Sequence, residues 1–164
     1  MAGAGRDPDA RGGRRGPGDP RLGRPMKALV VFPDAQSIGA QILRTALTAR
    51  GEPFVAGVTV GTRVPGDRSP ETPRLPYVMV RLDAALPHSS MGNSRVTLRV
   101  TVWHEDADQA HDLAQLCAGL LLVHDGTLLR SVRPGTGPLP ATDPDSGIDL
   151  STFTVLANVA PTLL

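Results

Sequence analysis

Between Ser94 and Val123 the apolar spacing changes from every second residue to about every 3.6, with no linker between the two patterns. Val96, Leu98, Val100 and Val102 fall on one face of a strand, and Arg95, Thr97, Arg99, Thr101 and Trp103 on the other. His104-Glu105-Asp106 then leads directly into a helix predicted over about 107–122, with Ala110, Leu113, Ala114, Cys117, Leu120 and Leu121 as its buried stripe. A strand that is apolar on one side only, followed at once by an amphipathic helix, buries both stripes by laying helix on sheet. The other face of the sheet is left polar and basic. No catalytic constellation adjoins it, so the pattern points to a surface for joining other proteins rather than to a reaction.

The chain has 164 residues, which suits one domain with a single core. Aromatic residues make up 3% (Phe32, Phe54, Tyr77, Trp103 and Phe153), so the core must come from Val, Leu, Ile and Ala. That scarcity argues against single-stranded nucleic-acid binding, which needs aromatic stacking platforms. The formal net charge of +1 is unevenly placed. Residues 1–27 carry seven Lys/Arg against three Asp, a net of +4, and residues 28–164 carry a net of −3. Residues 1–25, rich in Gly, Pro and Arg, are read as a flexible basic arm, either a solvated leader or a segment that touches an acidic partner. Met26 is an alternative start, and residues 26–164 are read as one α+β domain. Cys117 is the only cysteine; it lies in an apolar run and reads as a buried structural thiol, excluding an intrachain disulfide and a cysteine zinc cluster. No apolar run is long enough to span a bilayer, and the basic N-terminus lacks the apolar stretch of a signal peptide. A reducing cytoplasm is the expected compartment of synthesis.

Along the chain, Phe32-Pro33-Asp34 reads as a helix start with Asp34 as N-cap. Ile38, Ile42, Leu43, Ala46 and Leu47 predict a helix over 35–50, stopped at Gly51 in a left-handed C′ position. Strands are predicted over 54–60, 77–83 (with Val78, Val80 and Leu82 inward), 94–103, 128–133 and 152–159, and loops over 61–76, 84–93 and 134–147. Asp143-Pro144-Asp145-Ser146-Gly147 is a strong turn signal. The order α-β-β-β-α-β-β predicts an α+β fold: a single, mostly antiparallel sheet of four to five strands with two helices packed on one face.

Chemistry-bearing patterns are weak. His104, Glu105, Asp106, Asp108, His111 and Asp112 cluster at a helix start, but without H-E-x-x-H spacing, and read as an acidic, capped first turn. Asp143, Asp145 and Asp149 lack the glycine and terminal glutamate of a calcium loop. Gly57, Gly61 and Gly66 do not have phosphate-loop spacing, and Ser89-Ser90 is not in a G-x-S-x-G context. No enzyme, cofactor or metal site is predicted. Two strand faces have interface composition instead: Arg95, Arg99 and Trp103 on one, Tyr77, Met79 and Arg81 on its neighbour. They read equally well as the wet side of an antiparallel sheet.

Several segments together carry a resemblance. Phe32-Pro33-Asp34 leads a helix ending in Ala-Arg-Gly-Glu-Pro at 49–53, and Val60-Gly61-Thr62-Arg63-Val64-Pro65 follows. Val100-Thr101-Val102-Trp103-His104-Glu105 feeds Ala110-His111-Asp112-Leu113-Ala114. Val132-Arg133-Pro134, Gly137-Pro138, Asp143 to Gly147 and Phe153-Thr154-Val155 complete the series. In order and spacing, over roughly 30–160, the chain resembles the tail terminator, or tail completion, proteins of long-tailed bacteriophages and prophages of high-GC hosts. The resemblance implies a virion protein at the head-proximal end of the tail, assembled in the host cytoplasm, without catalysis, cofactor, membrane or sequence-specific nucleic-acid contact. It implies a hexameric ring that caps the tail tube, ends its polymerisation and meets the head-side connector or neck protein. The interface residues it suggests are Arg63, Arg68 and Arg74 in the first long loop, Ser89, Met91 and Asn93 in the second, and Tyr77, Met79, Arg81, Arg95, Arg99 and Trp103 on the strands. The competing readings are another head–tail connector or neck adaptor, and a small ligand-binding regulatory module of similar layout.

Overall fold

Two helices cover one face of a mostly antiparallel sheet, as the α+β reading expects, but the sheet has six strands rather than four to five, and a separate two-stranded ribbon lies beside it. The computed structural model describes residues 29–69, 71–86 and 92–163. The arm at 1–25 and Met26 lie outside them. The elements are β1 (Val30–Val31), α1 (Ala35–Thr48), a 3₁₀ turn (Pro53–Val55), β2 (Thr59–Gly61), β3 (Tyr77–Leu86), β4 (Ser94–Trp103), α2 (Ala107–Leu122), β5 (Leu129–Pro134), β6 (Leu139–Thr142), β7 (Asp149–Val159) and β8 (Thr162–Leu163).

The main sheet runs β2-β3-β4-β7, and β5 and β6 both pair with β7. All of its pairings are antiparallel except β2 with β3, which is parallel. The short β1 and β8 form a separate antiparallel ribbon that ties the two ends of the described chain together. The central β4 is paired along its whole length with β7 and from Arg95 to Trp103 with β3. Its inward Val96, Leu98, Val100 and Val102 are buried, as the alternation predicts. Each contributes about 1.5–3 kcal/mol of gross hydrophobic stabilisation.

Both helix starts follow from local chemistry. The Asp34 carboxylate accepts the Gln36 N–H at 3.1 Å, and the Asp106 carboxylate accepts the Gln109 N–H at 2.9 Å. The buried side of α1 is rotated from the predicted stripe: Ala35, Gly39, Ala40, Leu43 and Leu47 are buried, while Ile38 and Ile42 are only partly so. Small residues set this. A Cβ on Gly39 would lie 3.2 Å from both Leu98 and Val80, so the helix approaches the sheet on Gly39, and Ile38 and Ile42 line a groove shared with Leu120 and Val123 at the end of α2.

Several expectations need correction. The strand predicted over 54–60 is reduced to Thr59–Gly61, because Pro53 opens a 3₁₀ turn and Gly57 takes a positive φ of 72°. Gly51 does not end α1; Ala49 is the C-cap, its N–H donating to the Ala46 carbonyl at 3.3 Å and the following Arg50 N–H to the Leu47 carbonyl at 3.0 Å. The strand beginning at Tyr77 extends to Leu86, passing a register shift between Leu82 and Ala84. The stretch expected to be loop at 134–147 contains β6. Residues 129–142 thereby run along one edge of β7, bridged by Gly135 N–H to Thr154 O at 2.9 Å and Thr154 N–H to Thr136 O at 3.1 Å. The Asp143–Gly147 turn closes that hairpin as predicted, with Gly147 at φ 69° and its N–H on the Asp143 carbonyl at 2.8 Å.

Candidate interaction surface

The outward face of the sheet differs between its two ends, and the burial of Trp103 draws the division. Trp103 pairs with Tyr77 on β3 and Leu150 on β7, so three large side chains project together. Tyr77, Met79 and Trp103 form a second small core, with Leu75, Ile148 and Leu150 against it. The Tyr77 and Trp103 rings lie 6.0 Å apart at 37°. The Tyr77 hydroxyl donates to the Arg63 carbonyl, which draws the 61–76 loop over the sheet. Burial pushes the Tyr77 phenol up, against the pull of Arg44 and Arg68.

Arg68 completes the seal. Its side chain is only 8% exposed, and its guanidinium lies 5.0 Å from the centre of the Trp103 ring. Its Nη2 is 3.8 Å from the Asp143 carboxylate, and neither Nε nor Nη2 has a hydrogen-bond partner. Asp143 is held from three other sides: by Trp103 Nε1 at 3.1 Å, Ser146 Oγ at 2.7 Å and the Asp145 N–H at 3.1 Å. Burial works to raise the Asp143 carboxyl, but these hydrogen bonds and the Arg68 charge outweigh it and hold the group below its ordinary range. A tryptophan, an arginine and an aspartate thus fasten the 61–76 loop and the β6–β7 turn to each other.

The residues expected at an interface differ in their exposure. Tyr77, Met79, Trp103 and Arg68 are withdrawn from solvent by the chain's own loops. Arg63 and Arg74 are exposed, Arg74 paired with Asp67. Ser89 and Met91 lie outside the described residues. Arg81 and Arg99, direct cross-strand neighbours midway along β3 and β4, are exposed, with Arg99 meeting Asp83 at 3.0 Å, and Asn93 and Arg95 are exposed at the other end of the sheet.

That end also contains residues the sequence reading did not select. A concavity of about 280 Å³ is walled by Leu86, Arg95, Thr97, Arg133, Leu156 and Asn158, among others. Leu86 is 58% exposed and Leu156 47%. The available signal was Leu156 itself, a large aliphatic among Thr152, Thr154 and Asn158 on the wet face of β7. At the Trp103 end, a second cavity of about 690 Å³ is lined by Val64, Pro65, Ile148, Glu105, Asp145 and Asp149, among others.

The first-turn cluster of α2 serves local structure. His104 Nδ1 accepts the Asp106 N–H at 3.2 Å, and the His111 ring meets the Gln115 amide at 2.8 Å. Among the described residues, no group of three or more His, Cys, Asp or Glu side chains is arranged to hold a metal ion. Cys117 is fully buried, and burial pushes its thiol up to about 12. Among the described residues, no helix is long and apolar enough to cross a membrane. No protein-family model matches the chain, and no curated protein matches its sequence.

Proposed function

We propose that this protein is a tail terminator of a long-tailed bacteriophage or prophage: a structural subunit that assembles as a ring on the tail tube, ends its growth and meets the head-side connector. One observation carries the reading. The segments that resemble this family fall, in order, on the elements of one α+β unit. Phe32-Pro33-Asp34 starts α1, Val100 to Glu105 turns β4 toward α2, and Val132-Arg133-Pro134, Asp143 to Gly147 and Phe153-Thr154-Val155 build the β5–β6–β7 edge. An exposed sheet end that mixes arginine with leucine also suits protein contact. In this reading the protein is not an enzyme and works through shape and charge alone.

The test is tube assembly. Polymerising tail-tube protein from the same genome should give short tubes bearing an extra ring at one end when the purified protein is added. Tubes that lengthen without limit and carry no added ring would sink the reading. Capture of the portal-side connector but not the tube would move the protein to the neck.

A further inference from the structure

We propose that two copies of this chain join through unlike surfaces: the arginine-lined end of one sheet against the acid-rimmed cavity at the other end of its neighbour's. The two surfaces are opposite in charge. Arg95 and Arg133 wall the concavity at the Leu86 end of the sheet, Arg81 is exposed on the same face midway along β3, and none of the three has an ion-pair partner among the described residues. The cavity at the Trp103 end is lined by Glu105, Asp145 and Asp149, whose carboxylates are equally without ion-pair partners among the described residues. Asp143 is already balanced by Arg68, so the acidic surplus belongs to the other three.

The surfaces also match in their apolar parts. Leu86 and Leu156 stand exposed between the arginines, and Val64, Pro65 and Ile148 wall the acidic cavity. An apolar centre rimmed by charge is the usual anatomy of a specific protein contact. One molecule cannot satisfy itself: Arg95 and Trp103 sit eight residues apart on β4, a separation of about 26 Å along a strand. The unpaired charges therefore find their complements on a second copy, and because the surfaces are unlike, the contact is directional. The inference rests on the ring reading only for how the contacts close; closure between two copies would keep the contact and remove the ring.

Light scattering and sedimentation of the full chain test it. At low salt the wild type should assemble, and raising NaCl from 50 to 500 mM should shift the mass toward one subunit. Arg95→Glu with Arg133→Glu, and separately Glu105→Lys with Asp145→Lys, should each remain monomeric with unchanged circular dichroism. Mixing the two variants should restore assembly, because each then supplies the surface the other lacks. A wild type that stays monomeric at 50 mM NaCl and ~100 μM, assemblies indifferent to both reversals, or a mixture that stays monomeric would overturn the inference. Restored assemblies that leave tail tubes uncapped would overturn the tail-terminator reading and keep the contact.

Discussion

Trp103 shows how one side chain can change what a surface is for. By alternation it belongs to the polar face of β4, yet it is buried, stacked beneath Arg68 and hydrogen-bonded to Asp143. Trp103→Phe keeps most of the packing and loses the Nε1 bond, so it should cost about 1 kcal/mol. Trp103→Ala also opens the small core and should cost about 3–5 kcal/mol. Urea melts followed by circular dichroism would check both, and equal losses would mean that packing does not matter there. Asp143 gives a pH dependence of known sign. Its carboxyl is held below its unfolded value of about 3.9, so its contribution is present above that pH and lost as pH falls through the lower folded value. Asp143→Asn should therefore lower stability at pH 7 and leave a shallower acid limb than wild type. A parallel loss at pH 7 and pH 3 would contradict the assignment.

The β5–β6 edge depends on a glycine at its bend. Between Pro134 and Leu139 the chain leaves one strand and resumes another on the same side of β7, and Gly135 lies closest to the crossing. A Cβ there would sit 2.9 Å from the Thr154 carbonyl oxygen, so the backbone of one strand must move. Gly135→Ala should cost about 1–3 kcal/mol and speed amide exchange along residues 129–142 first. Exchange that rises uniformly across β4 and β7 instead would show that the edge does not open on its own. The same edge carries Arg133 to the outward face, so its geometry and the proposed contact between copies are linked.

The molecule has one principal core and a small satellite on the opposite face of the sheet. Phe153 is the bulkiest of the fully buried side chains, and Cys117 lies in the same core on α2. A fully buried thiol, raised to about 12, supplies almost no thiolate at pH 8. A thiol-specific reagent at that pH should therefore modify Cys117 only as fast as the whole domain opens. The rate should rise steeply across the urea transition. Rapid, complete labelling of the native protein would show that α2 opens separately from the sheet.

Much of the architecture was legible because it rests on local chemistry. The β4–α2 change of period, the Asp34 cap and the Asp143–Gly147 turn each depend on residues a few positions apart, where side-chain spacing and backbone preference act directly. β2 and β6 were less legible: both are short, flanked by proline and glycine, and held in place by pairing partners distant in sequence. The surface was the least legible. Whether Tyr77, Met79 and Trp103 face water depends on a loop that closes through Arg68, 35 residues before Trp103, onto Asp143, 40 residues after it. Likewise Arg95, Arg133 and Leu156 become neighbours only when β4 and β5 flank β7. Periodicity fixes which side of a strand a residue faces; what covers that side is set by contacts between distant parts of the chain.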